Sequence, residues 1–135
     1  MLFPETVFVV HDISAFPIVT QRRDAVRPGY AAQWMREMES LLQSAAPFVI
    51  ILEQGQAEEE STDRKARGLW LKRNKHLLAP VCRAVIGIEG DGFKRAAFKT
   101  LALVAAKAFG MTMDVVASDG EAVVCARAIL DRSGS

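Results

Sequence analysis

Phe48-Val49-Ile50-Ile51-Leu52 is the stretch that decides the fold class of this chain, because five consecutive apolar residues leave no polar face for solvent. A strand at the surface of a sheet alternates apolar and polar residues. An unbroken apolar run is typical of a central parallel strand covered on both faces. Two further stretches, residues 83–88 and 111–116, are predicted as buried strands of the same kind. We therefore expect a sheet whose central strands run parallel.

Segments of helical periodicity separate these runs. The first follows Pro28, which suits a first helical turn because its missing N–H would be unpaired there, and it ends at Pro47. Three further helices are predicted over Ser61–Leu78, 93–109 and 120–130. The regular alternation of strand and helix requires crossover connections, which parallel strands need.

The N-terminal part differs from the rest. Residues 6–10 and 16–20 are rich in β-branched and aromatic side chains, and His11-Asp12-Ile13-Ser14 between them is polar enough for a turn. They are predicted to pair as an antiparallel hairpin. The prediction is one α/β domain over residues 1–135, ordered β-β-α-β-α-β-α-β-α. It has a single layer of mostly parallel sheet, an antiparallel N-terminal hairpin, four packing helices and a polar tail from about residue 131 to 135.

Composition excludes several classes of protein. The 135 residues are half apolar, which is enough for one domain with a core. Lys plus Arg total 17 and Asp plus Glu total 16, so the chain lacks the basic field of a nucleic-acid binder. Its apolar runs are far shorter than the roughly 20 residues of a membrane span. Residues 1–5 lack the features of a signal peptide, and Cys82 and Cys125 suggest no disulfide framework, so a cytoplasmic location is expected.

Three stretches carry a resemblance to a known family: Pro47-Phe48-Val49-Ile50-Ile51-Leu52, Asp63-Arg64-Lys65-Ala66-Arg67-Gly68-Leu69-Trp70-Leu71-Lys72-Arg73-Asn74, and Cys82-Arg83-Ala84-Val85-Ile86. With the element order, they resemble the STAS domain of anti-sigma-factor antagonists, and more closely a small bacterial STAS-like subgroup. The resemblance covers almost the whole chain. It implies a regulatory, protein-binding module without a cofactor.

The family's phosphorylation site departs from its pattern here. STAS domains carry the phosphorylated serine in an Asp-Ser-x-Gly-Leu motif, whereas this chain has Glu60-Ser61-Thr62-Asp63-Arg64. Ser61 or Thr62 stands at the helix start without the Gly-Leu pair. These two residues are candidates for phosphorylation, and helix capping is the structural alternative.

Glycines between the strand at 83–88 and the next helix resemble a phosphate loop. The stretch Gly87-Ile88-Glu89-Gly90-Asp91-Gly92-Phe93-Lys94 has the strand–turn–helix context, but Phe93 separates the last glycine from Lys94. The spacing therefore excludes a P-loop. Gly90, Gly92, Lys94 and Arg95 are candidates for binding an anion at the helix N-terminus, and a tight turn is the alternative.

Two helices offer candidate contact residues for a partner. In Ser61–Leu78, Arg73 falls within an apolar row and Trp70 lies nearby, a combination typical of binding hot spots. The helix at 93–109 has two apolar stripes. The first is expected to face the sheet, and it consists of Phe93, Ala97, Thr100, Leu101, Val104 and Ala108. The second is expected to pack on a helix or bind a partner, and it consists of Phe98, Ala102, Ala105 and Phe109.

Catalytic and metal-binding motifs are missing from the sequence. The two histidines, His11 and His76, are far apart, and neither Cys-x-x-Cys nor His-Glu-x-x-His occurs. We therefore predict a non-enzymatic interaction module that self-associates or binds a protein partner through Trp70, Arg73, Phe98 and Phe109, with no catalytic residue, metal or cofactor assigned.

The alternative is a small-molecule or anion-binding protein, or a small enzyme. Open α/β sheets place such sites at the carboxyl ends of their strands. In this chain those ends would bring together Glu53, Ser61 and the turn Gly90-Asp91-Gly92.

Overall fold

The structure, a computed structural model, describes residue 3 and residues 6–55 and 59–134. Part of the loop predicted between residues 53 and 60, most of the N-terminal segment examined for a signal peptide, and Ser135 of the predicted tail lie outside the described residues. Five strands occur in the described part: β1 His11–Asp12, β2 Ile18–Gln21, β3 Phe48–Leu52, β4 Cys82–Ile88 and β5 Met113–Val116.

The strands form one mixed sheet in the spatial order β1-β2-β3-β4-β5. β1 pairs with β2 antiparallel, and all other neighbours are parallel. The α-helices are α1 Ala31–Ser44, α2 Ser61–Leu78, α3 Gly92–Phe109 and α4 Asp119–Gly134, with a short 3₁₀ turn at Arg23–Ala25. This confirms the α/β fold predicted from the alternating pattern.

Two apolar cores cover the two faces of the sheet. One lies under α1 and α2 and includes Trp34, Met38, Phe48 and Trp70. The other lies under α4, where Ala122 and Ala126 pack on residues of β2, β3 and β4. The unbroken apolar run of β3 is explained by this arrangement, because successive side chains serve different cores.

The predicted first strand is wrong. Residues 6–10 are not a strand, and β1 consists of His11 and Asp12, which were expected in a turn. The physical reason is that the N–H groups of Val9, Val10 and His11 donate to the carboxylate of Glu37 on α1. These three N–H groups therefore bond to a side chain and are not available for pairing with a neighbouring strand.

The last helix extends beyond its predicted end at residue 130. α4 continues to Gly134, and its last turns remain helical although they are polar. The start of this helix is capped, because Ser118 Oγ accepts the N–H of Glu121 and the Glu121 carboxylate accepts the N–H of Ala117.

The orientation of α3 reverses the expectation. Its first stripe, which includes Phe93, Leu101 and Val104, is exposed to solvent. Its second stripe is half-buried, and Phe109 packs against the core under α1 and α2. α3 packs against β5 through this second stripe, and the first stripe is left outside.

Candidate functional site

A cluster of polar and aromatic side chains lies where β2 and β3 end and where α1 and α2 begin. Arg67 on α2 makes a bidentate ion pair with Glu59. Its Nη2 lies 2.7 Å from Oε1, and its Nε donates a hydrogen bond to Oε2. The hydroxyl of Tyr30 donates to the same carboxylate. The Arg67 guanidinium lies 5.6 Å from the ring centroid of Trp34, and Trp34 Nε1 donates to Gln21 Oε1 at 3.2 Å. We call these five residues the Arg67 cluster.

The pKa values of the cluster follow from these contacts. Burial works against charge on Glu59, but the hydrogen bonds from Arg67 and Tyr30 outweigh it and lower the pKa of this carboxyl group. The same ion pair raises the pKa of Arg67 against the effect of burial. Burial and the bond to Glu59 raise the pKa of Tyr30 well above its ordinary value. At neutral pH the cluster therefore holds a charged pair and a neutral phenol.

One turn before Arg67, the carboxylate of Asp63 fastens α2 to the start of α1. Asp63 Oδ2 accepts the N–H of Gly29 at 2.8 Å, and Oδ1 accepts the N–H of Ala31 at 3.3 Å. Asp63 is buried, and α1 has no capping side chain of its own at Tyr30. A residue of α2 thus supplies the N-terminal cap of α1 and fixes the Arg67 cluster between the two helices.

Two cavities meet at this cluster. The first, which we call the mouth, has a volume of about 180 Å³ and is lined by Gln21, Arg23, Val26, Tyr30, Leu52, Glu53, Gly55, Glu59 and Arg67. The second, which we call the chamber, has a volume of about 270 Å³ and lies between α1, α2 and the sheet. Gln21, Leu52 and Arg67 line both cavities, so these side chains form the boundary between them.

The chamber is almost entirely apolar. Its lining residues are Gln21, Trp34, Met38, Ile50, Leu52, Arg67, Leu71, Leu78, Cys82, Val85, Met111 and Met113. On the α2 side it is lined by Arg67, Leu71 and Leu78, and Arg67 is the charged residue of the lining.

A second buried polar group ties the N-terminal segment to α1. Glu37 accepts hydrogen bonds from three backbone N–H groups, of Val9, Val10 and His11, and also from His11 Nδ1 and Gln33 Nε2. Burial alone would raise its pKa, but these donors lower the pKa of Glu37 to about 2. His11 Nε2 is buried with no hydrogen-bond partner among the described residues. Glu37 is fully buried, although it is a charged residue.

The outer face of α3, defined by Phe93, Ala97, Thr100, Leu101, Val104 and Ala108, is the first stripe of the sequence pattern. No residue of α3 is buried. Phe93 is 87% exposed, Leu101 65% and Val104 64%. Neighbouring apolar side chains that project this far into solvent are unusual on a protein that functions alone.

The four predicted contact residues have different environments. Trp70 is buried at 6% exposure, in T-shaped contact with Trp34 at 5.3 Å between ring centroids, so little of it remains for a partner. Phe98 and Phe109 are half-buried on the inner side of α3. Arg73 is exposed, in one row with Leu69 and Leu77, which are also exposed.

Ser61 and Thr62 are exposed at the start of α2. The N-cap of this helix is Glu60, and no side-chain hydrogen bond caps it. The capping alternative for the two hydroxyl groups is therefore wrong, because Ser61 is already the first helical residue. Their phosphorylation stays a prediction.

The glycine loop before α3 is closed by its own acidic side chains. Asp91 Oδ2 accepts the N–H of Lys94 at 3.4 Å, and Glu89 Oε2 accepts the N–H of Asp91 at 3.0 Å. Arg95 Nη1 donates to the carbonyl oxygens of Glu89 and Gly90. These carboxylates take donors that an anion would need, so the tight turn accounts for the loop, and anion binding here stays a prediction.

The carboxyl ends of the strands bring together only part of the alternative site. Glu53 lines the mouth, and the Gly90 backbone lies close to the Gln54 side chain, since a Cβ there would be 3.3 Å from Gln54 Nε2. Ser61 lines neither the mouth nor the chamber, and neither do Gly90, Asp91 and Gly92.

Nucleophilic and metal-binding groups are scarce in the described part of the chain. Burial raises the pKa of the Cys82 thiol to about 12, and burial also raises that of Cys125, so both thiols are protonated at neutral pH. Among the described residues, no three His, Cys, Asp or Glu side chains converge as a metal site would require. No helix in the described part is both long and apolar enough to cross a membrane.

Sequence reasoning missed the Arg67 cluster, Asp63 and Glu37 as structural centres. The signal for Arg67 was available, because this arginine occurs on the inward side of a helix between Asp63 and Trp70. No local pattern could have identified Glu37, whose donors lie 26 to 28 residues away in sequence.

Comparison with known proteins returned no match: no family model, no curated protein and no solved structure is similar to this chain.

Proposed function

We propose that this chain is a non-enzymatic protein-association module of the STAS type, and that it binds its partner through the outer face of α3. The observation that carries the proposal is the exposure of Phe93, Leu101 and Val104 on one helix that has no buried residue. Burial of such side chains stabilises a complex by about 25 cal/mol per Å² of apolar surface. The proposal keeps α3 as the predicted surface and moves the contact from its second stripe to its first.

The charges of α3 indicate the chemistry of the partner. The helix carries Lys94, Arg95, Lys99 and Lys107 and no acidic residue. Lys99 pairs with Asp114 at 3.7 Å, whereas Lys94 and Lys107 make no ion pair with a described residue. By helical geometry, these two lysines flank the outer face near its two ends. A partner segment with an apolar stripe bordered by Asp or Glu complements this face.

A second copy of this chain is the rival occupant, in line with the predicted self-association. Two α3 helices packed against each other through this face would bring four lysines together, Lys94 and Lys107 of each copy, without an acidic residue from either helix. Such like-charge contact opposes association. We therefore propose an acidic, amphipathic helix of another protein as the partner.

The test uses a labelled amphipathic peptide as long as the 18-residue α3, with leucines on one face and glutamates on both flanks. Fluorescence anisotropy should show binding to the wild type that weakens as salt is added. Leu101→Glu should weaken binding at least about tenfold, because it places a carboxylate in the apolar contact. Val124→Glu on α4 is the matched control, since Val124 is 70% exposed, and its affinity should be unchanged.

The proposal would be overturned if the acidic peptide failed to bind, or if it bound Leu101→Glu as tightly as the wild type. If vesicles containing phosphatidylserine bound the wild type and the peptide did not, the occupant would be an anionic lipid surface. If light scattering showed a mass that rises with concentration and that Leu101→Glu reduces to the monomer, the occupant would be a second copy.

A further inference from the structure

We propose that the chamber binds a small amphipathic molecule, whose apolar body lies between α1, α2 and the sheet and whose polar end is a carboxylate or carbonyl oxygen at Arg67 and Gln21. This site is separate from the outer face of α3. It shares Glu53, which lines the mouth, with the site predicted at the strand ends, but its apolar part lies beneath α2 and includes neither Ser61 nor the glycine loop.

The size and the lining of the chamber define the body of the ligand. An apolar cavity of roughly 150 Å³ in another protein stays dry and takes up a six-carbon benzene ring. By proportion, the 270 Å³ chamber accepts an apolar body of about ten carbon atoms. Three of its lining residues are methionines, Met38, Met111 and Met113, whose unbranched side chains adapt to the shape of a guest.

The boundary with the mouth defines the polar end. Glu59 engages Nε and Nη2 of Arg67, so Nη1 stays outside this ion pair. Gln21 uses its Oε1 atom to accept from Trp34, and its Nε2 amide has no partner in the described part of the chain. Both residues line the chamber and the mouth. Two N–H donor groups at the end of an apolar cavity are suited to an oxygen acceptor.

The mouth provides a route for the polar end to reach solvent. Arg23 and Glu53 line it and are charged side chains of opposite sign, next to the Arg67–Glu59 pair. The mouth therefore carries no excess of either charge. The charge of the mouth therefore favours neither a charged carboxylate nor a neutral carbonyl group as the polar end of the ligand. Both supply an oxygen acceptor, and the experiment must separate them.

The experiment is isothermal titration of the wild-type protein with decanoate, 2-decanone and decylamine. These probes have the same ten-carbon length and differ in the polar end. Decanoate, 2-decanone or both should bind, and the tighter one identifies the natural head group. Decylamine, whose ammonium group cannot accept a hydrogen bond from Arg67 or Gln21, should bind at least about tenfold more weakly than the better of the two.

Val85→Phe tests the position of the ligand. Val85 on β4 lines the chamber, and the larger ring would occupy part of it, so the affinity for the better probe should fall at least about tenfold. Val124→Phe makes the same chemical change at an exposed position of α4 and should leave affinity unchanged. If Val85→Phe does not fold, Leu71→Phe fills the chamber from the α2 side.

Two results would overturn this inference. The first is that neither decanoate nor 2-decanone binds the wild type. The second is that the folded chamber variants bind these probes as tightly as the wild type does. Leu101→Glu separates the two proposals, since it should abolish peptide binding at α3 and leave the affinity for decanoate or 2-decanone unchanged.

Discussion

Substitution of the buried Glu37 is the sharpest test of how this fold is held together. Its carboxylate accepts five hydrogen bonds, three of them from the backbone of the N-terminal segment. Glu37→Gln keeps the shape of the side chain, removes its charge and places an NH₂ group against N–H donors. We expect a large loss of stability without a change of fold.

The magnitude follows from the pKa of Glu37, which falls from 4.5 to about 2 on folding. Each unit corresponds to about 1.4 kcal/mol, so the ionised form contributes about 3 kcal/mol at neutral pH. Glu37→Gln should lose about that much, out of a total free energy of unfolding of roughly 5–15 kcal/mol. Urea denaturation at pH 7 should show a midpoint lowered by about 1.5 M, for a denaturant slope of about 2 kcal/mol/M.

The pH dependence gives an independent check. The folded-state pKa of Glu37 is lowered, so its contribution is fully present above pH 4.5 and is lost as the pH falls towards 2. The stability gap between the wild type and Glu37→Gln should therefore be constant from pH 7 to about 4.5 and should then close.

Glu39→Gln on the same helix is the control for Glu37→Gln. Glu39 is exposed, and its substitution should cost less than about 0.5 kcal/mol. A cost below about 1 kcal/mol for Glu37→Gln, or a gap that does not change between pH 4.5 and 2, would refute the reasoning.

Two further substitutions test the packing of the helices. Asp63→Ala removes the cap that α2 supplies to Gly29 and Ala31 at the start of α1, and it should cost about 1–2 kcal/mol in urea denaturation; no loss would show that water replaces the carboxylate without penalty. Phe98→Asp should lower the melting temperature by several degrees because Phe98 is half-buried, whereas Leu101→Asp on the exposed stripe should leave it nearly unchanged. Equal melting temperatures for the two variants would contradict the orientation of α3.

Sequence patterns predicted the architecture well where the signal lies in neighbouring residues. β3 at Phe48–Leu52 and α2 at Ser61–Leu78 have the predicted bounds. A strand covered on two faces needs apolar residues at consecutive positions, and a proline or glycine near a helix end marks its limit. Both signals are local, so they can be read without the tertiary structure.

The candidate surfaces were harder to predict, and α3 shows why. Periodicity separates the faces of a helix, but α3 has apolar residues on both, and nothing in the pattern says which one meets the sheet. The packing of α3 against β5 decides which stripe is covered, and that packing can be known only when the position of β5 is known.

By itself, the sequence determined the order of strands and helices, the mainly parallel sheet and the approximate limits of most elements, since each depends on the character of neighbouring residues. Only the tertiary structure decided that Glu37 is buried, that Arg67 stands between a polar mouth and an apolar chamber, and that Phe93, Leu101 and Val104 face solvent. The physical reason is that the energy of a charge, a cavity or an exposed side chain depends on groups distant in sequence. The donors of Glu37 and the walls of the chamber come from separate elements that only the folded chain brings together.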